Sequence, residues 1–179
     1  DGDTVTANAG GLVITVDDDT PIATQAQLTG LVDEDGVLEG TADAGQGDGI
    51  AGGIGDVSGA PTVVSGSVST LFQSGADEPL AYSLGSTGDL PALTSGGETV
   101  VYGVSGDTLT ASTGAGTVFT LKVTAAGAYT FTLVDQLDHA AGDDENDLTI
   151  SLGSVIRATD KDGDTVTANA GGLVITVDD

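Results

Sequence analysis

Two runs near the middle of the chain alternate apolar and polar side chains with a period of two. They are Thr117-Val118-Phe119-Thr120-Leu121-Lys122-Val123-Thr124 and Ala128-Tyr129-Thr130-Phe131-Thr132-Leu133, separated only by Ala125-Ala126-Gly127. A period of two is that of a strand with one buried face, and a short Gly-containing loop between two such runs makes a hairpin. The same pattern predicts further strands over 11–16, 26–31, 62–71, 79–84, 98–104, 107–112, 147–152, 154–159 and 172–177. Strand segments about ten residues apart, with turn signals between them and no helical periodicity, predict an all-β antiparallel sandwich. Val, Leu, Ile and Ala must fill its core, because the chain has no Trp or Met and only six aromatic residues: Phe72, Tyr82, Tyr102, Phe119, Tyr129 and Phe131.

A second constraint is an internal repeat. Residues 1–18, DGDTVTANAGGLVITVDD, recur without change as residues 162–179. Identical segments one repeat length apart read as a slice of a tandem array, the usual form of spacers and repeated binding modules rather than of catalytic domains. The repeat allows two phases. One unit spans 19–179, with 1–18 closing the unit before it; alternatively, the unit spans 1–161 and 162–179 opens the next.

The charge balance narrows the chemistry. Against 28 acidic residues stand Lys122, Arg157 and Lys161, so the net charge is −25. Such a surface repels phosphate and anionic lipid, which argues against nucleic-acid partners. No apolar run approaches the ~18 residues of a membrane helix, so no membrane insertion is expected. The absence of Cys excludes disulfides and thiolate chemistry, and with His139 as the one histidine a structural zinc site is excluded too. The chain has no G-x-S-x-G elbow and no phosphate loop, and it lacks the aromatic platforms of a sugar-cleaving cleft, so neither an enzyme nor a small-molecule substrate is expected.

Of the 28 acidic residues, 23 are Asp, and they cluster at the ends of the strand candidates. Asp favours turns, where its short carboxylate can cap backbone groups or hold a hard cation. The loop Asp160-Lys161-Asp162-Gly163-Asp164 alternates Asp around a Gly, so one tight turn can aim several oxygens at one point. Calcium takes ~6–8 oxygens, and three carboxylates could supply half. Three consecutive carboxylates, Asp17, Asp18 and Asp19, repel unless a cation sits among them. Pro21 follows them and marks an extended junction. Two further clusters, Asp33-Glu34-Asp35 and Asp143-Asp144-Glu145-Asn146-Asp147, read either as calcium ligands or as solvated turns. Calcium is the cofactor expected. A site with Kd of ~10⁻⁴ M in millimolar calcium adds roughly 1.4 kcal/mol, so several would matter to a domain stable by ~5–15 kcal/mol. Residues 40–59 are Gly-rich and predict a long surface loop. Their Gly52-Gly53-Ile54-Gly55-Asp56 lacks the spacing and the repetition of a calcium β-roll.

The order VDEDG (32–36), GIAGGIGDVSG (49–59), SGAD (74–77), LTSGGETVVY (93–102), LTA (109–111), VFTLKVTAAGAYTFTLVDQLDH (118–139), GDDENDLTISL (142–152) and ATDKDGDT (158–165) resembles the tandem repeat of type I secretion targets. That repeat builds the central region of RTX adhesins of the large-adhesion-protein type. The resemblance covers about residues 26 to 177. It implies an immunoglobulin-like β-sandwich acting as an extender, which holds a ligand-binding tip away from a bacterial cell. It also implies an extracellular location, neighbouring repeats of the same chain as partners, and folding delayed until calcium is met outside the cell. Residues carried over as linker ligands are Asp17, Asp18, Asp19, Asp33, Glu34, Asp35, Asp160, Asp162 and Asp164. The rival function is a calcium-dependent module binding carbohydrate or protein. His139 reads as a structural turn residue.

Overall fold

The computed structural model describes residues 1–37, 61–140 and 147–178. Its strands, in chain order, are β1 (Ile22–Ala23), β2 (Leu28–Asp33), β3 (Val63–Ser67), β4 (Phe72–Gln73), β5 (Ala81–Leu84), β6 (Thr94–Ser95), β7 (Glu98–Thr99) and β8 (Val101–Ser105). They continue with β9 (Thr108–Ser112), β10 (Thr117–Val123), β11 (Ala128–Leu133), β12 (Leu148–Ser151), β13 (Ile156–Thr159), β14 (Thr165–Thr167) and β15 (Leu173–Asp178). Among the described residues, helical structure is confined to four 3-10 turns, Glu34–Gly36, Ser69–Leu71, Gly153–Val155 and Ala170–Gly172. The protein is an all-β sandwich. A five-stranded antiparallel sheet, ordered β3-β11-β10-β9-β8, faces two three-stranded sheets, β12-β15-β2 and β14-β13-β5.

The central hairpin organises the large sheet. β10 and β11 pair with Leu121 opposite Phe131, and alternation sends Phe119, Leu121, Phe131 and Leu133 inward. Phe119 and Phe131 pack with ring centroids 5.0 Å apart, and Tyr102 lies tilted against Phe119 at 6.2 Å. Val32, Ile150, Ile156, Leu173, Ile175 and Val177 meet them from the opposing sheets in one continuous core. Gly30 closes one flank, because a side chain there would collide with Ile175 and Val64.

The C-terminal third is one long bent ribbon. β12 and β15 pair antiparallel, from Leu148 opposite Val177 to Ser151 opposite Val174. The ladder continues through the Leu152 N–H donating to Leu173 O at 2.8 Å. It breaks over the 3-10 turns Gly153–Val155 and Ala170–Gly172, then resumes with the Ala168 N–H donating to Ile156 O at 2.9 Å. It runs on to Thr159 opposite Thr165. One half therefore lies in the sheet with β2 and the other in the sheet with β5, a strand pair that changes sheet at a bend. The loop 160–164 and Asp178 mark its two ends. Twelve residues at ~3.3 Å each set its length at no more than about 40 Å.

Several expectations need correction. The segment 11–16 is not a strand: Leu12 is 82%, Ile14 75% and Val16 86% exposed. Its identical copy is β15, where Leu173, Ile175 and Val177 are all 0% exposed. The slot between β12 and β2 holds one strand, and the C-terminal copy fills it. The pairing of β15 with β2 is parallel rather than antiparallel, from Leu173 beside Leu28 to Asp178 beside Asp33. Nearly the whole domain serves as the long crossover that a parallel pair requires. The segment 98–104 divides into β7 and β8 because the buried Val100 turns its N–H to Leu93 O at 3.0 Å. The segment 62–71 ends early in a 3-10 turn, and 26–31 moves on to 28–33. The Gly-rich segment 40–59 lies outside the described residues.

The bend depends on Gly153, where a methyl group would overlap the Asn169 carbonyl oxygen. Gly153→Ala is expected to destabilise the fold by about 1–3 kcal/mol, read from urea unfolding. Gly103→Ala, where a methyl group meets open space, should stay within about 0.5 kcal/mol. Equal effects at the two sites would show that the bend does not need its close approach.

Candidate metal centre

The ribbon's tip is built by Asp160. Its Oδ1 accepts from the Gly163 N–H at 3.1 Å and the Asp164 N–H at 2.8 Å, and its own N–H donates to Asp164 O at 3.0 Å. Gly163 holds φ +113°, a backbone conformation that disfavours a side chain. The loop closes tightly enough to bury Asp160 to 6% exposure. Its other oxygen, Oδ2, is buried and receives no hydrogen bond from the described protein groups.

Three more carboxylates converge there. Asp18, Asp162 and Asp164 each present an oxygen within 4.8 Å of the others. Oxygens that ligate one calcium at ~2.3–2.6 Å can lie up to about 5 Å apart across the ion, so the spacing fits one coordination sphere. The neighbouring junction is pinned in place. Asp19 Oδ2 accepts from the Ala76 N–H at 2.8 Å, and its carboxylate sits where a side chain on Gly75 would have to go. The Lys161 N–H reaches Asp77 O at 3.4 Å.

Asp18 and Asp162 are exposed and Asp164 is partly buried, and the carboxylates act on one another. Asp162 lies close enough to Asp160 to share a proton with it. That contact, burial, and the charges of Asp160, Asp18 and Asp164 push its carboxyl up to about 6. Asp164 is also raised, by burial and by the charges of Asp18, Asp160 and Asp77. For Asp160, burial acts upward, but hydrogen bonds from Asp162 and from the Gly163 and Asp164 N–H groups outweigh it, and the net shift is downward. A hard divalent cation would take the proton's place. The all-oxygen donor set, with a buried Asp160 oxygen beside it, fits calcium, magnesium or manganese better than a softer metal.

The other end of the ribbon carries a second carboxylate group. Asp33 and Asp178 are buried side by side on β2 and β15, on the face opposite the core residues Val32 and Val177. Asp33 Oδ1 accepts from the Asp35 N–H at 2.8 Å. The buried Glu34 accepts from the Leu137 N–H at 2.8 Å through Oε1, which also lies 3.3 Å from His139 Nε2. Glu34 therefore ties the 3-10 turn at 34–36 to the loop segment that follows β11, through Leu137 and His139. Asp135 is buried as well.

Of the residues singled out in the sequence, the structure gathers Asp18, Asp160, Asp162 and Asp164 at the tip, with Asp19 anchored beside them. Asp17 is exposed and belongs to neither group. Asp33 and Glu34 are buried at the far end, and Asp35 is half-buried. Asp147 is exposed ahead of β12, while Asp143 and Asp144 lie outside the described residues. Asp77 and Asp135 were missed, since nothing local marks them. Asp178 was missed although it is the repeat copy of Asp17. Comparison with protein-family models, curated proteins and solved structures finds no match.

A carboxyl raised by its folded neighbours binds its proton more tightly in the folded state. Its repulsion is relieved as pH falls through about 6 and returns as pH rises. Without divalent cations, the melting temperature is therefore expected to rise between pH 7.5 and pH 5, and saturating calcium should flatten that slope. Asp162→Asn should raise the melting temperature in EDTA and reduce the increment that calcium adds. A variant that lowers both would mean the carboxylate acts only as a hydrogen-bonding group.

Proposed function

We propose that the chain is a calcium-stabilised extender repeat of a giant surface adhesin. It is an immunoglobulin-like unit that spaces a ligand-binding tip from a bacterial cell, outside that cell. The role is structural and non-enzymatic, and the partners are neighbouring repeats. The observation that carries this reading is where the chain enters and leaves. It enters at Asp18 and Asp19, beside the loop 160–164, and leaves at Asp178, at the other end of the ribbon.

The repeat gives that geometry its meaning. Asp178 and Asp179 are the copies of Asp17 and Asp18. In a tandem array, the last residue of one β15 stands one position before an Asp of the next unit's tip cluster. Such a junction has almost no slack, and a cation there would bind one unit's end to the next unit's loop. Calcium abundant outside the cell and scarce inside would then stiffen the array only after secretion.

None of the six aromatic side chains is exposed: Phe72, Phe119, Tyr129 and Phe131 are buried, and Tyr82 and Tyr102 are partly buried. That favours a spacer over a sugar-binding module, which presents rings to its ligand.

The test is small-angle scattering on a chain of two consecutive repeats. In ~5 mM calcium the second unit should add up to about 40 Å to the maximum dimension, the upper bound from the ribbon's strand rise. EDTA, or Asp162→Asn with Asp164→Asn, should give a shorter and broader distribution of dimensions. Identical scattering in calcium and EDTA would remove the stiffening role. Saturable glycan binding by the folded unit would favour the rival module.

A further inference from the structure

We propose that β8 is a docking edge for β8 of a second copy of this chain, the two strands pairing antiparallel about a two-fold axis at Gly103. β8 ends the five-stranded sheet, with β9 on one side of it. On its other side, no backbone group of the described residues hydrogen-bonds to residues 101–105. Such an edge is a template for another strand.

Sheet edges are commonly guarded by a charge, a Pro, a bulge or a covering segment. Among the described residues, β8 has none of these. It reads Val101-Tyr102-Gly103-Val104-Ser105, and its register with β9 is unbroken. Val101 is 65% and Val104 36% exposed. The other edges differ. β3 has β2 beside it, with the Asp33 N–H donating to Pro61 O at 2.9 Å and Gly30 lying against Val64. β5 gives its Tyr82 N–H to Ala125 O at 3.1 Å. β12 and β14 are shorter, and each follows directly on a carboxylate, Asp147 and Asp164.

Charge identifies the occupant. With a net charge of −25, two copies repel wherever carboxylates face one another. β8 is neutral, and the carboxylates flanking it are turned to their own chain. Glu98 accepts from the Gly114 N–H at 2.9 Å, and Asp107 pairs with Lys122 at 3.4 Å. With the axis at Gly103, Val101 lies opposite Ser105 of the second copy and Tyr102 opposite its Val104. The same register carries Glu98 opposite Thr108 and Asp107 opposite Thr99, so no carboxylate meets a carboxylate. Gly103 suits the axis. It has no positive φ, and a methyl group there would meet open space, so the single copy does not require a glycine. A glycine inside a strand marks a place where another backbone approaches closely. The contact is isologous and closes as a dimer, joining two five-stranded sheets into one. It rests on the fold alone and needs neither cation binding nor the extender role.

The test uses the full chain at about 0.5 mM, because a single strand edge buries too little surface for tight binding. Gly103→Cys places two thiols on the axis, within disulfide reach. Ser105→Cys, also exposed, leaves them about 14 Å apart along the strands. With oxidised glutathione, Gly103→Cys should form a disulfide-linked dimer at least about tenfold faster than Ser105→Cys. Gly103→Lys and Gly103→Glu should each sediment as a monomer, since like charges then meet on the axis, and an equal mixture of the two should form a one-to-one complex. Equal cross-linking at 103 and 105 would overturn the proposal and leave the edge to a foreign strand or to none. A mixture no more associated than its separate components would overturn it as well.

Discussion

The seating of β15 between β12 and β2 is the contact on which the rest of the molecule depends. It supplies Leu173, Ile175 and Val177 to the core and joins the ends of the domain through a parallel ladder. It is also half of the bent ribbon, so it aligns the tip loop with one end of the molecule and Asp178 with the other. Without β15, both β12 and β2 would expose unpaired edges, and the opposing sheet would lose its facing layer.

Like-charge repulsion is the second organising force, and it works against the first. The tip loop uses two backbone N–H groups to hold Asp160, then crowds Asp162, Asp164 and Asp18 around it. Asp162 is raised first by its contact with Asp160 and Asp164 first by burial, and the neighbouring carboxylates add to both shifts. A proton on Asp162 relieves part of that repulsion. Elsewhere, the pair Lys122 and Asp107 at 3.4 Å is exposed and contributes little.

Much of the fold was legible because alternation reports a half-buried strand directly. The β10–β11 hairpin was read correctly down to its Gly127 turn, which holds φ +88°. The tip loop was legible too, since D-x-D-G-D admits few arrangements other than a tight carboxylate turn. Short strands such as β1, β4, β6 and β14 were not, because two or three residues carry too little pattern. Asp77 and Asp135 gave no local sign. The burial of Asp135 and the nearness of Asp77 to the tip loop come from chain segments brought beside them by the fold, and spacing in sequence does not encode that. The buried Glu34–His139 contact likewise joins residues 105 positions apart.

The sequence by itself determined that LVITV can be a buried strand and that the chain carries that segment twice. It also determined that carboxylates far outnumber cations, whatever the fold. Only the tertiary structure decided which copy is the strand. The core has one slot, bounded by β12 and β2, and a strand gains its burial and its hydrogen bonds only there. Leu173, Ile175 and Val177 are therefore buried while their copies Leu12, Ile14 and Val16 are exposed, although no residue differs between the two segments.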